Sequence, residues 1–283
     1  MSGAAGAPVP GGPASPVTVT RRSTGAGPRL LLLHGLAAGE SLWDACLPLL
    51  PPDCSVWTAQ LPWRNGGVED WARRGEPGGW LCEALDAVPE GPEVVVAHSM
   101  AATLLLDVLD READEGREPL VERNTRALVL VSPFYRAAAE DFDWDTISYY
   151  LNDFHLIMEE GIRVHSAGRF PADIQRAMGE RVRDFVGPYG WMRFFDLYLR
   201  TPGLRVDRVD VPCLLLAGER DFAAPPGEAR TLAAALPDAR AHLLPDTGHF
   251  PMIENATAFT HVLNAFLAAT VTASESRTLE PQR

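Results

Sequence analysis

Short apolar runs recur along the chain at Leu30 to Leu33, Val94 to Val96, Ala127 to Val131 and Leu214 to Ala217, each bounded by Gly, Pro or polar residues. Consecutive apolar positions over so few residues predict strands buried on both faces. Between them the period changes. Ala229, Leu232, Ala233 and Leu236 fall at i, i+3, i+4 and i+7, and Phe259, Leu263, Phe266 and Leu267 repeat the stripe, which predicts helices. Strand and helix alternate, so the expected class is α/β: a mostly parallel central sheet with helices on both faces. Ligands in such sheets bind beyond the carboxyl ends of the strands. No repeat of solenoid or propeller period is present.

The residues after each run are therefore informative. His34 and Gly35 follow the first, His98 and Ser99 the second, Ser132 the third, and Gly218 to Asp221 the fourth, so four strand ends converge on one polar site. One segment breaks the alternation. Phe134 to Tyr198 holds 14 of the 23 aromatic residues, including all five tyrosines, and reads as helix punctuated by Gly161, Gly168, Pro171, Gly187, Pro188 and Gly190. This predicts a helical cap inserted after the strand that ends near Ser132. The expected organisation is a core of residues 17–133 and 206–270 and a cap of residues 134–205. Residues 1–16 and 271–283 are low in packing side chains and are expected to be disordered and mobile.

Composition narrows the function. With 283 residues, 46% of them hydrophobic, the chain is long enough for a sizeable core. No apolar run approaches the roughly 18 residues a spanning helix needs, so no membrane association is expected. The net charge of −13 repels a phosphate backbone and no basic stripe offsets it, which disfavours nucleic acid. All 25 basic side chains are arginine, so a Schiff-base lysine, a pyridoxal-phosphate anchor and a P-loop are excluded. Cys46, Cys54, Cys82 and Cys213 form no CxxC pair, and the histidines form no HExxH arrangement. Neither a metal nor a cofactor is expected. Met1 to Pro16 has no positive n-region and no apolar h-region, so it does not read as a signal peptide. Reduced thiols in a cytoplasm are the expectation.

The sharpest local signal is Val94-Val95-Val96-Ala97-His98-Ser99-Met100-Ala101-Ala102. It combines an apolar strand, a serine with small residues two positions to each side, and a helix-forming run, which is the context of a nucleophile elbow. Alanines stand where that motif usually has glycines, and a serine opening a helix is also an ordinary N-cap. The partners decide. Asp221 lies just past the run ending at Ala217, and His249 lies in Asp246-Thr247-Gly248-His249-Phe250-Pro251 before the last helix. A hydroxyl becomes a good nucleophile when a histidine takes its proton, and a carboxylate fixes that histidine's tautomer. Ser99, His249 and Asp221 fit those roles, and no carboxylate lies in Ser132 to Arg136.

With Leu33-His34-Gly35-Leu36, the Ser99 elbow, Gly218-Glu219-Arg220-Asp221 and Gly248-His249-Phe250 in that order, the sequence resembles the α/β-hydrolase superfamily from about Pro28 to Ala268. The resemblance implies an oxyanion hole from the backbone amides of Leu36 and Met100, with His34 and Gly35 supporting that loop. It also implies a cofactor-independent serine hydrolase that forms an acyl-enzyme on Ser99. The expected substrate is an ester, lactone or thioester of a bulky apolar, aromatic or polycyclic small molecule. Trp63, Phe134, Tyr149, Tyr150, Phe194, Phe195 and Phe250 are the candidate pocket residues. A biosynthetic tailoring enzyme performing cyclisation, addition or carbon–carbon bond chemistry, and a receptor with a vestigial triad, are the alternatives. A homodimer is left open.

Overall fold

The structure is a computed structural model that describes residues 16–63 and 77–278. The segment 1–16, apart from Pro16, and the last five residues of the expected tail lie outside the described residues. Among those described, seven strands form one sheet: β1 (Thr18–Arg21), β2 (Arg29–Leu33), β3 (Ser55–Gln60), β4 (Val94–His98), β5 (Ala127–Val131), β6 (Cys213–Gly218) and β7 (Ala239–Leu244). Their order is β1-β3-β2-β4-β5-β6-β7. β1 runs antiparallel to β3, and every other pair is parallel.

The four apolar runs are the four central strands, and β4, β5 and β6 are buried along their whole length. Alternate residues serve opposite layers, as the pleat requires. Leu31, Leu33, Val95, Ala97, Leu128, Leu130 and Leu215 pack on one side against α1 (Pro77–Asp86) and α2 (Met100–Asp114). Leu30, Leu32, Val94, Val96, Val129, Val131, Leu214 and Leu216 pack on the other against Phe259, Leu263, Phe266 and Leu267 of the last helix. Each Val, Leu or Phe among them contributes about 1.5–3 kcal/mol by leaving water. The edge strand β7 carries the exposed Arg240 and His242, which discourages pairing with another chain.

The remaining helices are α3 (Pro119–Glu122), α4 (Trp144–Asn152), α5 (Phe154–His165), α6 (Ala172–Leu199), α7 (Pro226–Ala235), α8 (Pro251–Glu254) and α9 (Ala256–Thr278). α4, α5 and α6 all lie between β5 and β6, in the aromatic-rich segment. The Asp143 side chain caps α4 by accepting from the Thr146 amide at 2.8 Å. α6 kinks at Gly187, whose φ of 66° is left-handed, and Pro188 after it lacks the amide to continue the ladder. Phe154 and Trp191 stack at 3.8 Å and pin α5 to α6. α9 runs on to Thr278, past the boundary at residue 271 set for the tail, because no Gly or Pro interrupts the chain there. No helix among the described residues is long and apolar enough to cross a membrane.

Candidate active site

β4 runs into α2 through a single residue, Ser99, with φ 58° and ψ −126°. A left-handed φ at a side chain with a β-carbon costs about 1–3 kcal/mol, and such strain persists where neighbours enforce it. Here the Ser99 amide donates to the Val131 carbonyl at 2.8 Å, and the Ser99 carbonyl accepts from the Ala102 amide at 2.9 Å. Ala97 and Ala101 are fully enclosed, which accounts for small residues at both positions. Gly35 comes closest: a β-carbon there would lie 2.8 Å from Ser99 Cβ and 3.1 Å from His98 Nδ1. Gly35→Ala is therefore expected to push the elbow and the loop after β2 apart. It should lower kcat by about 10²-fold and reduce Tm, as read by ester hydrolysis and thermal melting.

The acid and histidine loops meet through backbone. A β-carbon at Gly218 would lie 2.1 Å from the Thr247 carbonyl oxygen, and the Arg220 amide donates to that carbonyl at 2.9 Å. Asp221 thereby reaches His249. The imidazole Nδ1 lies 2.9 Å from Asp221 Oδ2 and 3.1 Å from Oδ1, and Nε2 lies 3.0 Å from Ser99 Oγ. A carboxylate only accepts, so Nδ1 carries the proton and Nε2 presents its lone pair to the serine hydroxyl. The Ala223 and Ala224 amides, each at 2.9 Å, hold Asp221 Oδ1. Ser99, Asp221 and His249 are 7%, 3% and 2% exposed. Burial pushes the Cys46 and Cys213 thiols up to about 12 and Cys54 to about 11, so these stay protonated near neutral pH and are poor nucleophiles.

Two supporting groups were not legible as such in the sequence. Glu254 accepts from the Gly248 and Phe250 amides, both at 2.9 Å, so one carboxylate clamps the backbone on each side of His249. Its signal was an acid five residues after the histidine. His98 Nε2–H donates to the His249 carbonyl at 2.9 Å. Burial, reinforced by the neighbouring His249, holds its pKa well below the usual histidine range, so His98 is a neutral strut. His34 accepts from the Leu61 amide at Nε2 and donates from Nδ1 to the Gly35 carbonyl, both at 2.9 Å. The amides of Leu36 and Met100 have no hydrogen-bond acceptor among the described residues.

A cavity of about 160 Å³ opens beside Ser99. Phe134, Phe194 and Phe250 line it, with Leu36, Ile157 and Met158. Trp63, Tyr149, Tyr150 and Phe195 are not among its walls. Trp63 is fully buried with its ring against His34, centroids 5.7 Å apart. Tyr150 donates to the Ala223 carbonyl at 2.8 Å and Tyr149 to the Phe222 carbonyl at 3.4 Å, so both anchor the loop after Asp221. Phe195 packs on Trp191 inside the helical segment. Among the described residues no three His, Cys, Asp or Glu side chains are grouped to hold a metal ion.

Glu228, in the first turn of α7, is buried against the same segment. It accepts from the Tyr135 amide at 2.7 Å and from the Tyr198 hydroxyl. Burial pushes its pKa up from 4.5 to about 7. Between those values the folded protein keeps a proton that the unfolded chain releases. Its contribution to stability is thus full below the unfolded value and is lost as pH rises through the folded one. Glu228→Gln should remove this dependence. The Tm of the variant should gain on the wild type, by a few degrees, between about pH 5 and about pH 8.

A strained serine at a strand–helix turn, a histidine and acid on two later loops, and a mostly parallel sheet define an α/β hydrolase. Residues 30–262 match the alpha/beta hydrolase family, and the chain belongs to it. A pimeloyl-[acyl-carrier protein] methyl ester esterase of Aromatoleum aromaticum is 28% identical over 241 residues, covering 81% of this chain and 93% of that protein. One from Neisseria meningitidis is 22% identical, covering 89% and 80%. Among solved structures, the enol-lactonase of Burkholderia xenovorans shares the fold with a TM-score of 0.58 at 20% identity, covering 89% of this chain and 96% of that one. The N-acyl homoserine lactone degrading enzyme Est816 does so with a TM-score of 0.63 at 18% identity, covering 88% and 97%.

Proposed function

We propose that the protein hydrolyses carboxylic esters, lactones included, through an acyl-enzyme on Ser99. The observation that carries this is the unbroken hydrogen-bond line from Ser99 Oγ through His249 to Asp221. His249 Nε2 takes the hydroxyl proton as Oγ attacks the substrate carbonyl. Asp221 fixes the tautomer and stabilises the imidazolium. The unpaired amides of Leu36 and Met100 are the donors for the oxyanion, each worth on the order of 3 kcal/mol in the transition state. His249 then passes the proton to the departing alkoxide. A water deprotonated by the same nitrogen releases the acid and restores the serine. The esterases among the relatives support an oxygen ester over a thioester.

The helices between β5 and β6 act in this reading as a cap that roofs Ser99 with apolar side chains. The cavity of about 160 Å³ supports an apolar or single-ring acyl group, since an apolar cavity of about 150 Å³ suits one benzene ring.

Partitioning tests the reading. Esters of one acid with several different alcohols are hydrolysed in the presence of methanol, and the ratio of acid to methyl ester is measured. A shared acyl-enzyme gives one ratio for the whole series. A ratio that changes with the departing alcohol, or no turnover of any ester, contradicts it.

A further inference from the structure

α5 carries a glycine in its interior, Gly161, that no backbone conformation demands, since its φ is not among the left-handed ones. A helix-interior glycine weakens a helix relative to alanine, so a close neighbour has to account for it. The neighbour is Phe250. A β-carbon at Gly161 would lie 3.3 Å from Phe250 Cζ and 3.7 Å from Cε2, and no backbone atom of another element lies as near. Both residues line the cavity beside Ser99. Phe250 directly follows His249 and is held by Glu254 through its amide. The ring is therefore fixed at one end to the site and at the other to α5.

Apart from Ser41, Ser99 and the histidines, the described walls are apolar or glycine. Ile157, Met158 and Ile162 of α5, with Val182, Phe134 and Phe194, are apolar. None of the described lining residues is an arginine, and the chain has no lysine. His98 stays neutral, and His165, exposed to solvent, donates its Nδ1–H to the Gly161 carbonyl at 2.8 Å. An ionised carboxylate inside this cavity would give up hydration and meet no guanidinium or ammonium among the described lining residues.

We infer that the cavity takes an uncharged, compact acyl group, a medium aliphatic chain or a single phenyl ring, and that Gly161 and Phe250 set its depth. This rests on Ser99 being the nucleophile and adds the substrate class and two specificity-determining residues to that reading.

The test is a series of 4-nitrophenyl esters, from acetyl through butanoyl, hexanoyl and benzoyl to hexadecanoyl, with the succinyl half-ester as the charged analogue of butanoyl. For the wild type, kcat/KM is expected to peak at hexanoyl or benzoyl, with the succinyl ester about 10²-fold below butanoyl. Gly161→Val should lower the hexanoyl-to-acetyl ratio about tenfold, and Phe250→Leu should raise it. Gly161→Ala, whose single methyl needs only a small shift of the ring, should move the ratio in the same direction as valine and keeps the test open if valine impairs folding. A small alkyl fluorophosphonate is applied to every variant alongside. Adducts on Ser99 with one unchanged chain-length profile across all variants, or a succinyl ester as good as butanoyl, overturn the inference while leaving the nucleophile intact. Absence of the adduct in the folded wild type overturns both.

Discussion

Replacing Ser99 by alanine lowers kcat for ester hydrolysis by about 10⁶-fold, the scale known for serine nucleophiles in other folds. The substitution removes one oxygen and keeps the β-carbon against which Gly35 packs, so Tm and the affinity for product should change little. His249→Ala costs a similar factor, because the hydroxyl and the imidazole 3.0 Å from it act on the same proton. The double variant should be no worse than either single one. Steady-state kinetics on all three variants check this, and losses that multiply in the double variant would mean that the two residues serve separate steps.

Asp221→Asn is the second large effect, about 10⁴-fold in kcat by analogy with other triads, and the hydrogen bonds give the reason. Oδ1 accepts from the Ala223 and Ala224 amides, so the asparagine carbonyl takes that place and its amide nitrogen faces His249 Nδ1. That nitrogen donates where the carboxylate accepted. The imidazole responds by moving its own proton to Nε2, where the lone pair needed by Ser99 is lost. Circular dichroism should be unchanged while kcat falls. Activity within tenfold of wild type would place the acid elsewhere, and the loop after β5 offers no carboxylate from Ser132 to Arg136.

The central strands were legible because burial on both faces writes itself as an uninterrupted apolar run, as in β4, β5 and β6. The edge strands β1 and β7 were not, since solvent on their faces admits Arg21, Arg240 and His242. Ser99 and Asp221 could be read from their places just after strand ends and His249 from its motif before the last helix, and the structure brings all three within hydrogen-bonding reach. Side-chain direction in the aromatic segment was beyond sequence pattern. Tyr149 and Tyr150 are adjacent on α4, yet both hydroxyls turn to the loop after Asp221 and not to the cavity. Composition signals aromatic density without saying which ring faces which layer. Glu254 was equally silent, because an acid in a short helix is unremarkable until its oxygens are seen on the amides flanking His249.

Covalent labelling reads the central claim most directly. Folded protein is exposed to an alkyl fluorophosphonate, and the intact mass and the modified peptide are determined. The account predicts one phosphonyl group per chain, located on Ser99, absent in Ser99→Ala and formed far more slowly in His249→Ala. An ester hydrolase activity that survives with Ser99 unmodified, or an adduct on another residue whose formation tracks the loss of activity, would contradict it.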